Sequence, residues 1–269
     1  MDFDTQPFFR DGFQIFRGLV ALDRVAVVKQ RLETRLNSAL DLMRPLGVRP
    51  EVAHVGGDIR ALLAAPNAQS IDMDLRVTMT GSFPLDVRLD PVLLEIPHDE
   101  NLQRVLKSAL NTSHLRMHMP PMARFIFPGN FDAGVPPHQD VSYNHHMSNF
   151  LTLWTPLVEI DEACGGVTVF RASDRTEFST QLSALGVWNE GLDTEGLEPV
   201  NCTPMSPGDV LIFNKLLIHR SMPNLSDRIR FSMDYRFFGD QDSSSKHYLD
   251  LSTGQVIAPN ETGRASSDE

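Results

Sequence analysis

Apolar side chains recur at intervals of three and four residues in two stretches before residue 111. In the first stretch the apolar positions are Leu22, Val25, Val28, Leu32, Leu36, Ala39 and Met43. This spacing predicts one amphipathic helix from Leu22 to Met43, and Pro45 prevents it from continuing. A second amphipathic helix is predicted from Glu100 to Leu110, where four apolar residues again share one face.

Beyond Leu110 the pattern changes to short runs that are rich in β-branched and aromatic residues, with Gly- and Pro-containing turns between them. The runs are Leu115–Phe127, Phe150–Val158, Gly166–Phe170, Val200–Met205, Asp209–Phe213, Leu216–His219 and Ile229–Phe238. Helices followed by many short strands predict an α+β fold that is mainly β. We expect a sheet sandwich or barrel flanked by N-terminal helices.

The interior of the chain contains no internal repeat and no linker-like stretch, which predicts a single domain over residues 1–240. From about Gly239 the residues become small and polar. We expect residues 241–269 to form a polar C-terminal extension that is partly flexible.

The composition restricts the partners of this protein. Lys and Arg total 24 against 35 Asp and Glu, for a net charge of −11, which argues against nucleic acid and anionic membrane surfaces as partners. Two cysteines suit a reducing compartment, and no secretory signal or membrane-length apolar run is present. We therefore expect a soluble, cytoplasmic protein that acts on a small molecule, whereas its oligomeric state is left open.

One short motif carries candidate chemistry. In His138-Gln139-Asp140 the two-residue period of a strand directs the histidine and the aspartate to the same side. His219 lies far along the chain, at the end of a β-rich run, and is positioned to join them from a neighbouring strand. Two imidazoles and one carboxylate on one face of a metal are typical of non-haem Fe(II), with the opposite face open for chemistry.

Arg230 follows His219 by eleven positions and begins the next predicted strand. A fixed guanidinium there would bind a carboxylate through two parallel hydrogen bonds, which implies a dicarboxylate cosubstrate. Of Arg230 and its neighbour Arg228, we expect Arg228 to be the one exposed to solvent.

Further motifs are distributed from about residue 8 to residue 238. They are Phe9-Arg10-Asp11-Gly12-Phe13, His138-Gln139-Asp140, Leu153-Trp154-Thr155-Pro156-Leu157, Gly165-Gly166, Pro207-Gly208-Asp209, and His219 with Ser221, Asn224, Ser226 and Arg230. With these motifs the sequence resembles the phytanoyl-CoA dioxygenase-like family of Fe(II)/2-oxoglutarate oxygenases.

The resemblance implies a double-stranded β-helix, or jelly roll, in which His138, Asp140 and His219 hold Fe(II). It further implies that Arg230 and Ser221 bind 2-oxoglutarate and that Trp154 lines the cosubstrate pocket, with O2 as the second cosubstrate. The segment Phe170–Asp174 departs from the Pro-Gly-Ser-His turn that the family often has there. The resemblance therefore does not extend to the identity of the substrate.

Arg124, on the strand before the motif, is a further candidate for binding the keto-acid end of the cosubstrate or the substrate; a structural ion pair is the alternative. The expected activity is hydroxylation of an aliphatic carbon of a small molecule, with release of succinate and CO2. A secondary metabolite or an amino-acid-like compound is favoured as substrate. The alternatives are a catalytically silent jelly-roll protein and a zinc-dependent hydrolase, because two histidines and an aspartate also suit Zn(II).

Overall fold

The computed structural model describes residues 5–49, 55–178 and 191–259. Within these described residues, six α-helices precede Arg116, and one short strand, Phe13–Phe16, follows the first of them. The helices are α1 (Thr5–Asp11), α2 (Leu22–Met43), α3 (Val55–Ala64), α4 (Met73–Met79), α5 (Leu85–Arg88) and α6 (Glu100–Leu110). The two helices predicted from periodicity thus have the predicted bounds. The other four helices were not predicted, because a helix of ten residues or fewer has too few turns for its period to be recognised.

In the described part of the chain the strands belong to two antiparallel sheets. They are β1 (Phe13–Phe16), β2 (Arg116–His118), β3 (Met122–Ile126), β4 (Leu151–Pro156), β5 (Val167–Phe170), β6 (Pro199–Asn201), β7 (Val210–Asn214), β8 (His219–Ser221), β9 (Arg230–Phe238), β10 (Tyr248–Asp250) and β11 (Gln255–Ile257). The larger sheet has the order β1-β7-β4-β9-β2-β10-β11, with β3 also paired to β9, and the smaller has the order β6-β5-β8.

A shared apolar cluster joins the two sheets. Trp154, Leu211 and Phe213 of the larger sheet pack with Val167 and Val169 of the smaller one. The helices cover the larger sheet, where the buried face of α2 belongs to the same core as buried residues of β4, β7 and β9. The predicted fold class, a mainly β jelly roll with N-terminal helices, is confirmed.

The strands of the structure depart from the predicted runs at several places. Leu115–Phe127 is two strands, because Pro120 and Pro121 cannot donate to a ladder. The run Leu216–His219 contributes only its last residue to β8. Two strands in the region predicted as an extension, β10 and β11, add to the larger sheet through pairing of β10 with β2. The boundary at residue 240 stays a prediction, and residues 260–269 lie outside the described part.

Gly165 lies in the turn before β5, where a side chain would not fit. Its φ is +65°, and an added Cβ would overlap the carbonyl oxygen of Pro223. The neighbouring Gly166 carbonyl accepts hydrogen bonds from the Met222 amide at 2.9 Å and from Arg230 Nη1 at 3.4 Å. This close approach of two backbones therefore fixes the surroundings of Arg230.

We predict that Gly165→Ala lowers the free energy of unfolding by at least about 3 kcal/mol, because left-handed strain and a backbone clash add. Gly254→Ala is the matched control, since Gly254 has φ +69° with nothing within 4 Å of the added Cβ. The control should cost about 1–2 kcal/mol, from the strain alone. Urea unfolding measures both variants, and equal losses would contradict the predicted clash.

Candidate metal centre and active-site cavity

Backbone pairing brings the two histidines of the predicted site together. The His138 amide donates to the His219 carbonyl at 3.0 Å, and the His219 amide donates to the His138 carbonyl at 3.0 Å. The two imidazole rings lie with their centres 4.1 Å apart. The segment before Asp140 thus pairs with β8 like a further strand. As the sequence predicted, His219 reaches the site from a neighbouring strand.

Gln139 explains why His138 and Asp140 share one side. Its backbone is extended, with φ −112° and ψ 137°, so successive side chains alternate. The buried Gln139 side chain points away from the site, donating to the carbonyls of Thr176 and Leu216 and accepting from the Phe178 amide. These bonds fix the motif segment against two loops.

The ligand atoms of His138, Asp140 and His219 all lie within 4.8 Å of one another, and the three residues are buried. Asp140 Oδ1 is 3.7 Å from His138 Nε2 and 3.9 Å from His219 Nε2. Each Nδ1 lies within hydrogen-bond distance of a carbonyl oxygen, Pro136 at 2.8 Å and Leu217 at 2.9 Å. With Nδ1 donating, each Nε2 is the unprotonated atom that a metal requires. This donor set fits a divalent ion.

The electrostatics favour the metal-binding protonation states of Asp140 and His219. Burial alone would raise the pKa of Asp140, but Arg236 and the two histidines outweigh it and hold that pKa well below its usual range. Arg236 Nη2 lies 3.2 Å from both Asp140 oxygens, and the Thr152 hydroxyl donates to Oδ2. Burial and the neighbouring His138 lower the pKa of His219 to about 3, so its ring is neutral at pH 7.

The triad lines a cavity of about 450 Å³ between the two sheets, a size typical of small-molecule sites. All four of the other predicted site residues also line it. They are Arg230, Ser221, Trp154 and Arg124. Ser221 stands two positions after His219 on β8 and therefore on the same face. Trp154 belongs both to the cavity wall and to the apolar cluster between the sheets.

Arg230 is 4% exposed and has only neutral partners among the described residues. Its Nη1 donates to the Met222 carbonyl at 2.9 Å and to the Gly166 carbonyl at 3.4 Å. Burial lowers its pKa to about 10, so it remains a cation at pH 7. Arg228 is exposed, as predicted, and forms an ion pair with Asp161.

Sequence reasoning missed Arg236, Asp234 and Arg88, the unexposed charged residues of the cavity wall that were not predicted. Arg236 and Asp234 lie an even number of positions after Arg230 on β9, so the alternation of side chains along a strand could have placed them on the same face. Thr152 was missed as well; it is the direct cross-strand neighbour of Arg236, which explains why both reach Asp140. Arg88 gave no signal, because α5 is a single turn.

Other histidines near the motif do not join the triad. His145 is exposed, whereas His146 Nε2 lies 3.2 Å from His118 Nδ1. Burial lowers the pKa of His118 to about 3 and that of His146 to about 4, so both are neutral at pH 7. In the segment that departs from the family motif, Arg171 forms ion pairs with Asp11 and Glu198.

Comparison of the sequence with known proteins identifies a family and partial relatives. The family model described as phytanoyl-CoA dioxygenase (PhyH) matches residues 8–232. A segment of 112 residues is 35% identical to 1-deoxypentalenic acid 11-beta-hydroxylase of Streptomyces exfoliatus and 31% identical to the protein of that name from Streptomyces arenae. Each match covers 38% of this chain and 40% of the relative's length.

Solved structures share the fold at low sequence identity. EvdO2 from Micromonospora carbonacea var. aurantiaca has a TM-score of 0.59 at 19% identity, over 94% of this chain and 93% of that one. EctD from S. alaskensis, solved with 2-oxoglutarate and 5-hydroxyectoine, has a TM-score of 0.59 at 18% identity, over 87% and 74% of the two chains. Within the described residues, no helix has the length and hydropathy needed to cross a membrane.

We predict that Arg236→Met lowers the free energy of unfolding of the metal-free protein by about 3–5 kcal/mol, because Asp140 becomes an uncompensated buried anion. Adding Asp140→Asn to that variant should recover part of the loss. Arg228→Met, which breaks an exposed ion pair, is the control and should cost under about 1 kcal/mol. Denaturant unfolding in EDTA measures the set; the predicted role of Arg236 is wrong if its loss equals that of the control.

Proposed function

The chain belongs to the phytanoyl-CoA dioxygenase family, and on that premise we propose that it is an Fe(II)- and 2-oxoglutarate-dependent dioxygenase. The observation that carries the proposal is the convergence of His138, Asp140 and His219 on the wall of a cavity that also contains the buried Arg230. The reaction consumes a substrate C–H bond, O2 and 2-oxoglutarate. It yields the hydroxylated substrate, succinate and CO2.

His138, Asp140 and His219 would hold the iron. Bound there, Fe(II) would supply the redox chemistry with O2 that no amino-acid side chain provides. The protein's own part is to keep Asp140 ionised, through Arg236 and Thr152, and to keep His219 neutral. Carbonyl acceptors at each Nδ1 fix the ring orientations before any ligand arrives.

Arg230 would bind the distal carboxylate of 2-oxoglutarate. A buried cation whose described partners are neutral carbonyls is stabilised when an anion reaches it, and a planar guanidinium binds a carboxylate bidentately. Ser221 would add a hydroxyl contact to the cosubstrate, and the Trp154 side chain would exclude water from it.

The substrate would be a small molecule with an aliphatic carbon to be oxidised. A cavity of about 450 Å³ favours a secondary metabolite or an amino-acid-like compound. The partial relatives from Streptomyces are named as hydroxylases of 1-deoxypentalenic acid, which agrees with this size class. We retain a cytoplasmic location and the absence of nucleic-acid and membrane partners as part of the proposal.

The proposal is tested by adding Fe(II) and 2-oxoglutarate to the protein without oxygen. We predict a weak visible absorption band, typical of a 2-keto acid chelated to Fe(II), that His219→Ala abolishes. The exposed His114 provides the control, His114→Ala, which should retain the band. No band in the unmodified protein would reject the proposal in favour of a silent jelly roll or a zinc enzyme.

We predict that Arg230→Ala raises the apparent KM for 2-oxoglutarate about 100-fold or more, because two charge-assisted hydrogen bonds of about 1.5–3 kcal/mol each are lost. Affinity for Mn(II), measured by calorimetry, should stay nearly unchanged. Arg228→Ala is the matched control, two positions away and exposed, and should leave both values alone. An unaltered KM in Arg230→Ala would transfer the role to another cation such as Arg124.

A further inference from the structure

The deep wall of the cavity carries more positive than negative groups. Four guanidinium groups face two carboxylates there, and the neutral His118 adds no charge. The deep charged residues are Arg88, Arg124, Arg230, Arg236, Asp140 and Asp234. The cavity mouth, with the exposed Arg220 and Asp132, contributes one charge of each sign. The cavity therefore has two positive charges in excess.

The ligands of the proposed function do not remove this excess. A metal dication and the 2-oxoglutarate dianion cancel each other, and Arg236 already pairs with Asp140. One of the two excess positive charges therefore lies on Arg230, which in the proposed function faces the cosubstrate. Arg88, Arg124 and Asp234 remain, and together they leave one positive charge. Cations in a partly dehydrated cavity are costly unless an anion compensates them.

Arg88 approaches the cavity from α5 and not from a sheet. Its Nε donates to the Pro121 carbonyl at 2.8 Å and its Nη2 to the Pro120 carbonyl at 3.4 Å, so the guanidinium is held in place by neutral groups. Burial, with smaller contributions from Arg236 and Arg124, lowers its pKa to about 10. Arg88 thus stays charged at pH 7, and its partners in the described chain do not balance that charge.

Arg124 lies on β3, where its cross-strand neighbour is Ser232 of β9. Among the described residues its side chain makes no hydrogen bond and no ion pair, which disfavours the structural ion pair that the sequence left open. Asp234 makes no hydrogen bond there either; burial raises its pKa, and the nearby Arg236 and Arg124 oppose that rise by favouring the carboxylate. The apolar side chains of Met122 and Ile126 also line the cavity, on the same face of β3 as Arg124.

We propose that Arg88 and Arg124 form a subsite for a carboxylate of the substrate, so that the enzyme acts on a small organic acid with an apolar body. The proposal rests on the proposed function, because the charge balance assumes bound metal and 2-oxoglutarate. The single positive charge left by Arg88, Arg124 and Asp234 matches a monocarboxylate. Apolar residues beside it would bind the hydrocarbon part and leave the carbon to be oxidised near the triad.

The test uses two pairs of probes that differ only in charge, adamantane-1-carboxylate with its carboxamide and benzoate with benzamide. They are titrated by calorimetry into oxygen-free protein saturated with Mn(II) and 2-oxoglutarate. We expect each acid to bind at least about tenfold tighter than its amide, as one charge-assisted interaction gives. Arg88→Gln and Arg124→Gln should each remove most of this preference, whereas Arg104→Gln, an exposed arginine on α6, should keep it.

Several results would overturn the subsite. They are equal binding of acid and amide, absence of binding by every probe, or a preference that survives both substitutions. Loss of 2-oxoglutarate affinity in Arg88→Gln and Arg124→Gln would assign the two arginines to cosubstrate binding, and this result would also reject the subsite. If Arg88→Gln fails to fold, Arg88→Lys replaces it and should retain part of the preference for acid over amide. The result for Arg124→Gln then decides whether the subsite exists. Failure of the unmodified protein to bind 2-oxoglutarate with Mn(II) would instead reject the proposed function.

Discussion

The buried carboxylate of Asp140 is the group on which the rest of the site depends. A carboxylate in the interior is costly unless cations and hydrogen-bond donors compensate it. Here Arg236 from β9 and Thr152 from β4 supply that compensation, and the two strands are direct neighbours in register. Asp140 Oδ1 also faces the two imidazoles, 3.7 Å from His138 Nε2 and 3.9 Å from His219 Nε2, an arrangement that fits a divalent ion. The larger sheet thus positions the aspartate, and backbone pairing with β8 positions the histidines.

Charge balance links this centre to the rest of the cavity. Arg230 is buried with neutral carbonyl partners, and Arg88 and Arg124 stand in the same wall without a hydrogen-bonded carboxylate. Each such cation gains stability when an anion arrives, so the cavity is arranged for two anionic ligands, the cosubstrate and, in our proposal, an acidic substrate. Arg230 and Arg88 lose little freedom on binding, because backbone carbonyls already hold their guanidinium groups in place.

Much of the site was predictable, because its signals are local in sequence. The period of α2 and α6 gave their bounds, and His138-Gln139-Asp140 with His219 and Arg230 gave a ligand set that the structure brings together. Arg236 and Asp234 could have been found by extending the parity of Arg230 along β9. Arg88 could not, because α5 is one turn and its approach to the cavity depends on how α5 packs beside Pro120 and Pro121.

The sequence by itself determined the fold class, the two long helices and the residue types of a metal and cosubstrate site, because periodicity and short motifs are properties of neighbouring residues. Tertiary structure alone decided which partners surround those residues. The pairing of His138 with His219, the contact of Arg236 with Asp140 and the addition of β10 to β2 join segments that are distant along the chain. Such contacts follow from strand order and register, and these are fixed by the packing of the whole core rather than by any local pattern.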